Sequence, residues 1–167
     1  MQRMMEAATP SEQHAWLLED VGNWKGTSKS WPAPGAEAFE EKAQFVVRSV
    51  LGGRFIETTH RCDMPDMPAF EAIVLTGYDN AAREFVTVWI DSFGTTMMTG
   101  TGARSADGKT LALTCTYFCP MRGKRTTLWQ SFTRESKDRQ THRMWSEDMA
   151  TGQKYLMAEG VYERQAG

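Results

Sequence analysis

The chain has 167 residues, of which 41% are hydrophobic and 24% charged, so its composition is that of an ordinary globular protein. Its length fits a single domain over residues 1–167. The 19 Lys and Arg nearly balance the 21 Asp and Glu, and the formal charge of −2 argues against a nucleic-acid partner. No apolar run approaches the ~20 residues of a membrane span, so no membrane partner is expected.

The N-terminal residues and the cysteines indicate the compartment. Met1–Thr9 lacks the apolar centre of a signal peptide. Three cysteines are an odd number for a disulfide framework, and reduced thiols are their simplest interpretation. The sequence therefore predicts a cytoplasmic protein.

The first predicted element is a short N-terminal helix. Thr9, Pro10 and Glu12 match a capping box, with Thr9 as the N-cap and Pro10 at the first helical position. The helix is expected to continue over Gln13–Val21 and to stop at Gly22, because glycine is the usual residue after a helix end.

After Gly22 the pattern is that of strands separated by turn residues. Turn-forming glycine, asparagine and aspartate residues occur at regular spacing along the chain. The segment Met64–Pro68 is too rich in proline for a central strand and is expected to be a connection. This pattern predicts a mostly β protein, an antiparallel up-and-down barrel of about ten strands, which removes its edges by closing. The candidate strands are Asn23–Trp31, Phe39–Val50, Arg54–Cys62, Phe70–Tyr78, Glu84–Ser92, Thr95–Ala103, Lys109–Phe118, Arg125–Thr133, Gln140–Asp148 and Lys154–Glu163.

Several predicted strand faces mix large aromatic residues with polar ones. A dry core would make one face of each strand plainly apolar, whereas a barrel of this size has room for a ligand. The mixed faces therefore predict a cavity that binds a small, partly apolar molecule; the alternative is that they face solvent. The candidate ligand-binding residues are Trp89, Trp129 and Trp145 for stacking, Arg54, His60 and Arg143 for an anionic or polar group, and Tyr155 and Glu159 beside Arg143.

Arg143 and Glu159 form a candidate ion pair across two adjacent strands. On a regular strand Arg143 shares a face with Trp145, and Glu159 shares one with Tyr155. If both faces point inward, the two charges must pair in the cavity. If both point outward, the pair lies in solvent.

No group of residues in the sequence indicates a particular reaction or a metal site. There is no nucleophile elbow, phosphate loop or zinc-protease motif, and the spacing of Cys115 and Cys119 is not that of a zinc knuckle. His60 and Cys62 share a strand face, but nothing pairs them with the other cysteines. No metal and no cofactor are expected. An enzyme that uses a buried Glu or His in the same cavity remains an alternative.

Short motifs along nearly the whole chain resemble those of a known family. Gly22-Asn23-Trp24-Lys25-Gly26 after a helix is similar to the opening of lipocalin-like (calycin) barrels, in which the tryptophan closes the barrel floor. The order of motifs resembles, more specifically, the bacterial domain-of-unknown-function family fifteen-seventy-nine. The other matching segments are Leu17-Leu18, Val50-Leu51-Gly52-Gly53-Arg54-Phe55, Gly77-Tyr78-Asp79, Asp107-Gly108 and Tyr162-Glu163-Arg164.

The resemblance implies a ligand-binding barrel and brings no catalytic residues. A related haem-binding group also opens with this glycine–tryptophan pattern and carries its haem-ligating histidine in the C-terminal part of the chain. Here His142 is the only histidine in that part, and its flanking residues differ. A haem-binding barrel with His142 as the ligand is the second alternative. Exposed tryptophan faces would instead suit a homodimer.

Overall fold

The computed structural model describes residues 1–62 and 68–166. Over these ranges the chain forms two short helices followed by ten strands. No helix in the described residues is long and apolar enough to cross a membrane. The elements are α1 (Gln2–Ala8), α2 (Glu12–Leu18), β1 (Gly22–Ser30), β2 (Phe39–Val50), β3 (Phe55–Cys62), β4 (Phe70–Asp79), β5 (Glu84–Asp91), β6 (Met98–Arg104), β7 (Thr110–Cys119), β8 (Lys124–Ser136), β9 (Arg139–Glu147) and β10 (Lys154–Arg164).

The strands form one closed antiparallel barrel. Each strand pairs with the next along the chain, and β1 pairs with β10 to complete the ring. Closure leaves no strand edge without a partner. The predicted fold class is confirmed. The predicted connection at Met64–Pro68 lies, up to residue 67, outside the described residues.

The helical segment differs in detail from the prediction. Ser11, and not Thr9, is the N-cap of α2, and its backbone N–H donates to Nδ1 of His14 at 2.9 Å. Thr9 instead ends α1, a helix that was not predicted, and its hydroxyl donates to the Met5 carbonyl. A histidine at the third helical position replaces the expected glutamate, because its ring nitrogen accepts the same backbone hydrogen bond.

Helix α2 closes one end of the barrel, which we call the base. Trp16 and Leu17 are buried there, and the Trp16 ring packs edge-on against Phe85 with centroids 5.7 Å apart. Trp24 is 2% exposed, and its Nε1 donates to the Asp20 carbonyl just after the helix. The tryptophan of the glycine–tryptophan motif is thus buried at the base, as the resemblance implied.

Candidate ligand-binding site

The barrel encloses a cavity of about 540 Å³. It reaches from Trp16 and Asp20 at the base to Phe70 and Phe93 at the opposite end, which we call the mouth. Most of the lining is apolar, and the volume lies within the range of about 300–1,000 Å³ typical of ligand pockets. The interior of the barrel is therefore a site with room for a small molecule.

An aromatic cluster built around Phe45 forms the middle of the cavity wall. The Phe45 ring lies 5.2 Å from the His60 ring and 5.3 Å from the His142 ring, centroid to centroid. Tyr162 packs edge-on at 4.9 Å, and Trp24 stacks beneath at 6.0 Å. Phe45 pairs directly with His60 in the sheet, and paired residues point to the same side, so both rings face inward.

His60 is an uncharged imidazole in this wall. Burial lowers its pKa from 6.5 to about 4, so it is neutral at physiological pH. Its ring also lies 5.2 Å from the Trp89 ring. Within the described residues neither ring nitrogen has a hydrogen-bond partner, and the exposed part of His60 faces the cavity that it lines.

His142 is the second uncharged imidazole. Burial, with a smaller contribution from nearby His60, lowers its pKa to about 3. Its Nε2 lies 2.9 Å from Oε1 of Gln140, and its ring contacts Phe132 at 4.6 Å. His142 is therefore fixed in place by its neighbours, whereas the polar atoms of His60 are open to the cavity.

The charged groups at the base neutralise one another. Arg134 donates to both carboxylate oxygens of Asp20 at 2.8 Å, to Glu19 at 3.0 Å and to the Trp16 carbonyl at 2.5 Å. Burial raises the pKa of Asp20, and the hydrogen bonds and charge of Arg134 oppose that rise. This network closes the base and offers a ligand no unpaired charge.

Two arginines expected in the binding site have other partners. The Arg54 guanidinium donates to the carbonyls of Ala8 at 2.9 Å and Leu51 at 3.3 Å, and so ties α1 to the barrel. Arg143 borders the cavity, but its Nε donates to Glu159 at 2.5 Å. The side chains of this pair are 48% and 32% exposed, which corrects the inward arrangement and leaves the pair on the outer surface.

The expected aromatic residues separate into two groups. Trp89 lines the cavity, and its Nε1 donates to Asp91 at 2.8 Å. Trp129 and Trp145 pair with each other on the outside of the barrel, where the Lys154 Nζ lies 4.4 Å and 5.3 Å from their rings. Their expected place inside the barrel is wrong, because Met144, the neighbour of Trp145, lines the cavity and successive residues alternate.

Tyr155 is not among the residues that line the cavity, and an irregularity in β10 changes the face on which it lies. Between Leu156 and Ala158 the register with β9 shifts by one residue. A β-bulge of this kind reverses the inside–outside alternation beyond it, so Tyr155 and Glu159 do not share a face as expected. The Tyr155 hydroxyl instead donates to the Pro32 carbonyl at 3.2 Å.

Sequence reasoning missed several residues of the cavity wall. Phe45, Phe132 and Gln140 line the cavity, and His142 was considered only as a haem ligand. The signal was present in β8, where the face opposite Trp129 carries Leu128, Gln130 and Phe132 while the Trp129 face continues with serine and threonine. The large tryptophan rings concealed this difference.

The position of His142 does not fit an axial haem ligand. Its Nε2, the nitrogen that would face an iron, is already hydrogen-bonded to Gln140. Phe45, Phe132 and Tyr162 pack around the ring at centroid distances of 5.3, 4.6 and 4.8 Å. In the described residues no group of three or more His, Cys, Asp and Glu side chains could hold a metal ion.

Comparison with known proteins identifies one family and several similar barrels. The model of a family described as a protein of unknown function, DUF1579, matches residues 9–164. Rv2717c from M. tuberculosis has a similar structure, with a TM-score of 0.70 and 16% identity over 95% of this chain and 100% of that chain. The S-type phycobiliprotein lyase CPES from Guillardia theta has a TM-score of 0.59 and 10% identity over 100% of this chain and 99% of that one. At these identities the likeness shows the barrel fold alone. The curated proteins contain no match.

Proposed function

Because this chain belongs to the DUF1579 family, whose description assigns no activity, we propose from its geometry that the barrel binds a small, partly apolar molecule in its cavity. The family resemblance seen in the sequence is thereby confirmed. The observation that carries the proposal is the inward His60 imidazole, whose nitrogens have no partner within the described residues and which lies against the Trp89 ring in an otherwise apolar wall. Binding pockets typically combine such a wall with a few placed polar groups.

The pKa values of the two histidines favour binding over acid–base catalysis. A general base works best when its pKa lies near the operating pH. The pKa values of His60 and His142, about 4 and about 3, leave both imidazoles neutral and weakly basic near pH 7. Asp20, a buried carboxyl at the base, is held by Arg134 and is therefore a poor proton carrier. We therefore propose a binding protein, with catalysis as the outcome that would replace it.

The test is a fluorescence titration of the purified protein with retinol, a fatty alcohol and a polycyclic aromatic alcohol. Trp89 is the tryptophan in the middle of the cavity wall, so a bound ligand should quench it most strongly. Trp89→Phe should remove most of the quenching, whereas Trp129→Phe, on the outer surface, should leave the fractional quenching of the remaining rings nearly unchanged. Ala43→Phe should weaken binding by filling part of the cavity.

Quenching that Trp129→Phe removes and Trp89→Phe retains would place the ligand on the outer surface and contradict the proposal. No binding by any of the three molecules, together with turnover of a substrate by the unmodified protein, would favour the enzyme.

The outer surface around Trp129 and Trp145 is the face on which we propose that a homodimer would form. Half-buried aromatic residues on a sheet exterior suit a protein–protein contact. Sedimentation at rising concentration tests this prediction, with Trp129→Ser as the variant that should stay monomeric. We also keep the cytoplasm as the proposed compartment, on the basis of the three buried thiols.

A further inference from the structure

We propose that the cavity selects an uncharged, flat aromatic or polyene molecule whose hydroxyl or carbonyl group hydrogen-bonds to His60, an inference that rests on the proposed function. Two features of the wall define this ligand class. One is the set of rings around His60, and the other is the ion pairing of the charged side chains that border the cavity.

The rings around His60 form a surface for a flat molecule. Phe45 and Trp89 each lie 5.2 Å from the His60 ring, on different strands. Phe70 continues this surface toward the mouth, nearly parallel to Trp89 at 6.4 Å with an interplanar angle of 27°. Aromatic groups prefer offset stacking and edge contacts of this kind, so a flat ligand gains most from this wall.

His60 is the polar group in this surface that a ligand can satisfy. A neutral imidazole offers one N–H donor and one acceptor nitrogen. No described residue hydrogen-bonds to either nitrogen of His60, so both are available to a ligand in the cavity. A hydroxyl group can accept from one nitrogen or donate to the other, and a carbonyl can accept. His142 is less available because Gln140 holds its Nε2.

The charged side chains that border the cavity offer no cation to an acidic ligand. Arg134 is paired with Asp20, and Arg143 with Glu159. Arg61 is paired with Glu71 at 2.7 Å. Among the described lining residues, only the carboxylate of Glu41 has no ion-pair partner, and it is exposed. An anion in the cavity would lose its hydration without gaining a counter-ion, which is strongly unfavourable.

A cationic ligand gains little more from the same wall. Glu41 is exposed, so solvent screens its attraction for an ammonium group. The two imidazoles have no negative charge to offer. The described lining therefore favours a molecule that enters and stays uncharged.

The experiment compares four probes that share one ring system: 9-methylanthracene, 9-anthracenemethanol, anthracene-9-carboxylate and 9-anthracenemethylamine. Energy transfer from tryptophan to the bound anthracene measures each affinity at pH 7.5. We expect the alcohol to bind about 10-fold more tightly than the methyl compound, the usual gain from one hydrogen bond. The carboxylate should bind at least about 100-fold more weakly than the alcohol.

The variant His60→Phe tests the anchor directly. It keeps a ring of similar shape and removes both nitrogens, so the alcohol should lose its tenfold advantage while the methyl compound binds within about twofold of its former affinity. Thr59→Val, on the outer face of the same strand, should leave all four affinities unchanged. The ratio of alcohol to methyl affinity in the unmodified protein provides the same information if His60→Phe does not fold.

The outcomes separate this inference from the proposed function. Binding of the carboxylate or the amine at least as tight as that of the alcohol would overturn the neutral selection and leave a binding protein. An alcohol advantage that survives His60→Phe would overturn the anchor. Failure of all four probes to bind would count against the cavity as a ligand site and so against both proposals.

Discussion

The base of the barrel and the middle of its cavity are built from opposite chemistry. At the base, Arg134 and Asp20 are largely buried and paired with each other; Arg134 also binds the exposed Glu19, and its guanidinium stacks 3.8 Å above the Trp16 ring. Arg164 similarly lies 4.4 Å above Trp24 and donates to the Val21 carbonyl. In the middle of the cavity the two histidines are neutral imidazoles.

The difference shows how the barrel separates stability from binding. A buried ion pair stabilises only when both partners are present and well hydrogen-bonded, so it suits a closure that never opens. A neutral imidazole without a partner costs less to bury and leaves its hydrogen-bonding capacity for a ligand. The base is therefore expected to respond strongly to substitution and the cavity wall more weakly.

The largest expected effect is at the base. Arg134→Met removes the partner of Asp20 and leaves a buried carboxylate, so the free energy of unfolding should fall by about 3–5 kcal/mol. Urea denaturation measures this. Lys137→Met, a substitution of a cation at the same end that makes no side-chain ion pair within the described residues, is the control and should change stability little. A loss below about 1 kcal/mol for Arg134→Met would show that the network does not close the barrel.

Substitutions of two tryptophans allow packing at the base to be compared with packing in the cavity wall. Trp24→Ala should destabilise by about 3–5 kcal/mol, because it empties a site where the ring is 2% exposed. Trp89→Ala should cost roughly 2 kcal/mol less, because one side of that ring already borders a cavity and fewer contacts are lost. Thermal or urea unfolding of both variants tests the order. Equal losses would mean that the cavity wall is packed as tightly as the base.

The pH dependence of the free energy of unfolding tests whether His60 is held uncharged in the folded protein. His60 has a pKa of 6.5 when unfolded and about 4 when folded, so between these values the unfolded chain binds more protons. Its contribution to stability is therefore complete above pH 6.5 and is lost as the pH falls toward 4. That loss corresponds to about 3 kcal/mol.

Denaturation at pH 7 and pH 4.5 measures the effect, and His60→Phe should reduce the difference between the two. Thr58→Val, which lines the same cavity and does not titrate, should preserve it. A His60→Phe profile as steep as that of the unmodified protein would show that His60 is not held neutral.

The smallest expected effect is that of the outer ion pair. Arg143→Met and Glu159→Gln should each change the free energy of unfolding by about 0–1 kcal/mol, because water screens an exposed pair. The double variant should show little coupling. A loss of about 3 kcal/mol in either single variant would mean that the pair is buried and would remove the contrast between surface and base.

Local sequence signals predicted the elements of this fold well. Turn residues and alternation placed eight of the ten strands within one residue of their observed bounds, while β6 begins three residues later and β8 ends three residues later than predicted. The helix start was misplaced because Thr9 and Ser11 are both capping residues, and the hydrogen bonds between Ser11 and His14 select Ser11. Closure also followed from the sequence, since a long meander of antiparallel strands has edges to remove.

Only the tertiary structure decided which strand faces point inward. Trp129 and Trp145 have the size of core residues, yet they pair outside under Lys154, while His60 and His142 lie inside. The bulge near Ala158 reverses the inside–outside alternation of β10, and the local sequence did not predict it. The sequence by itself determined a ten-strand barrel with Trp24 buried. The choice of face, and with it the neutral cavity, depended on register, which contacts between distant strands set.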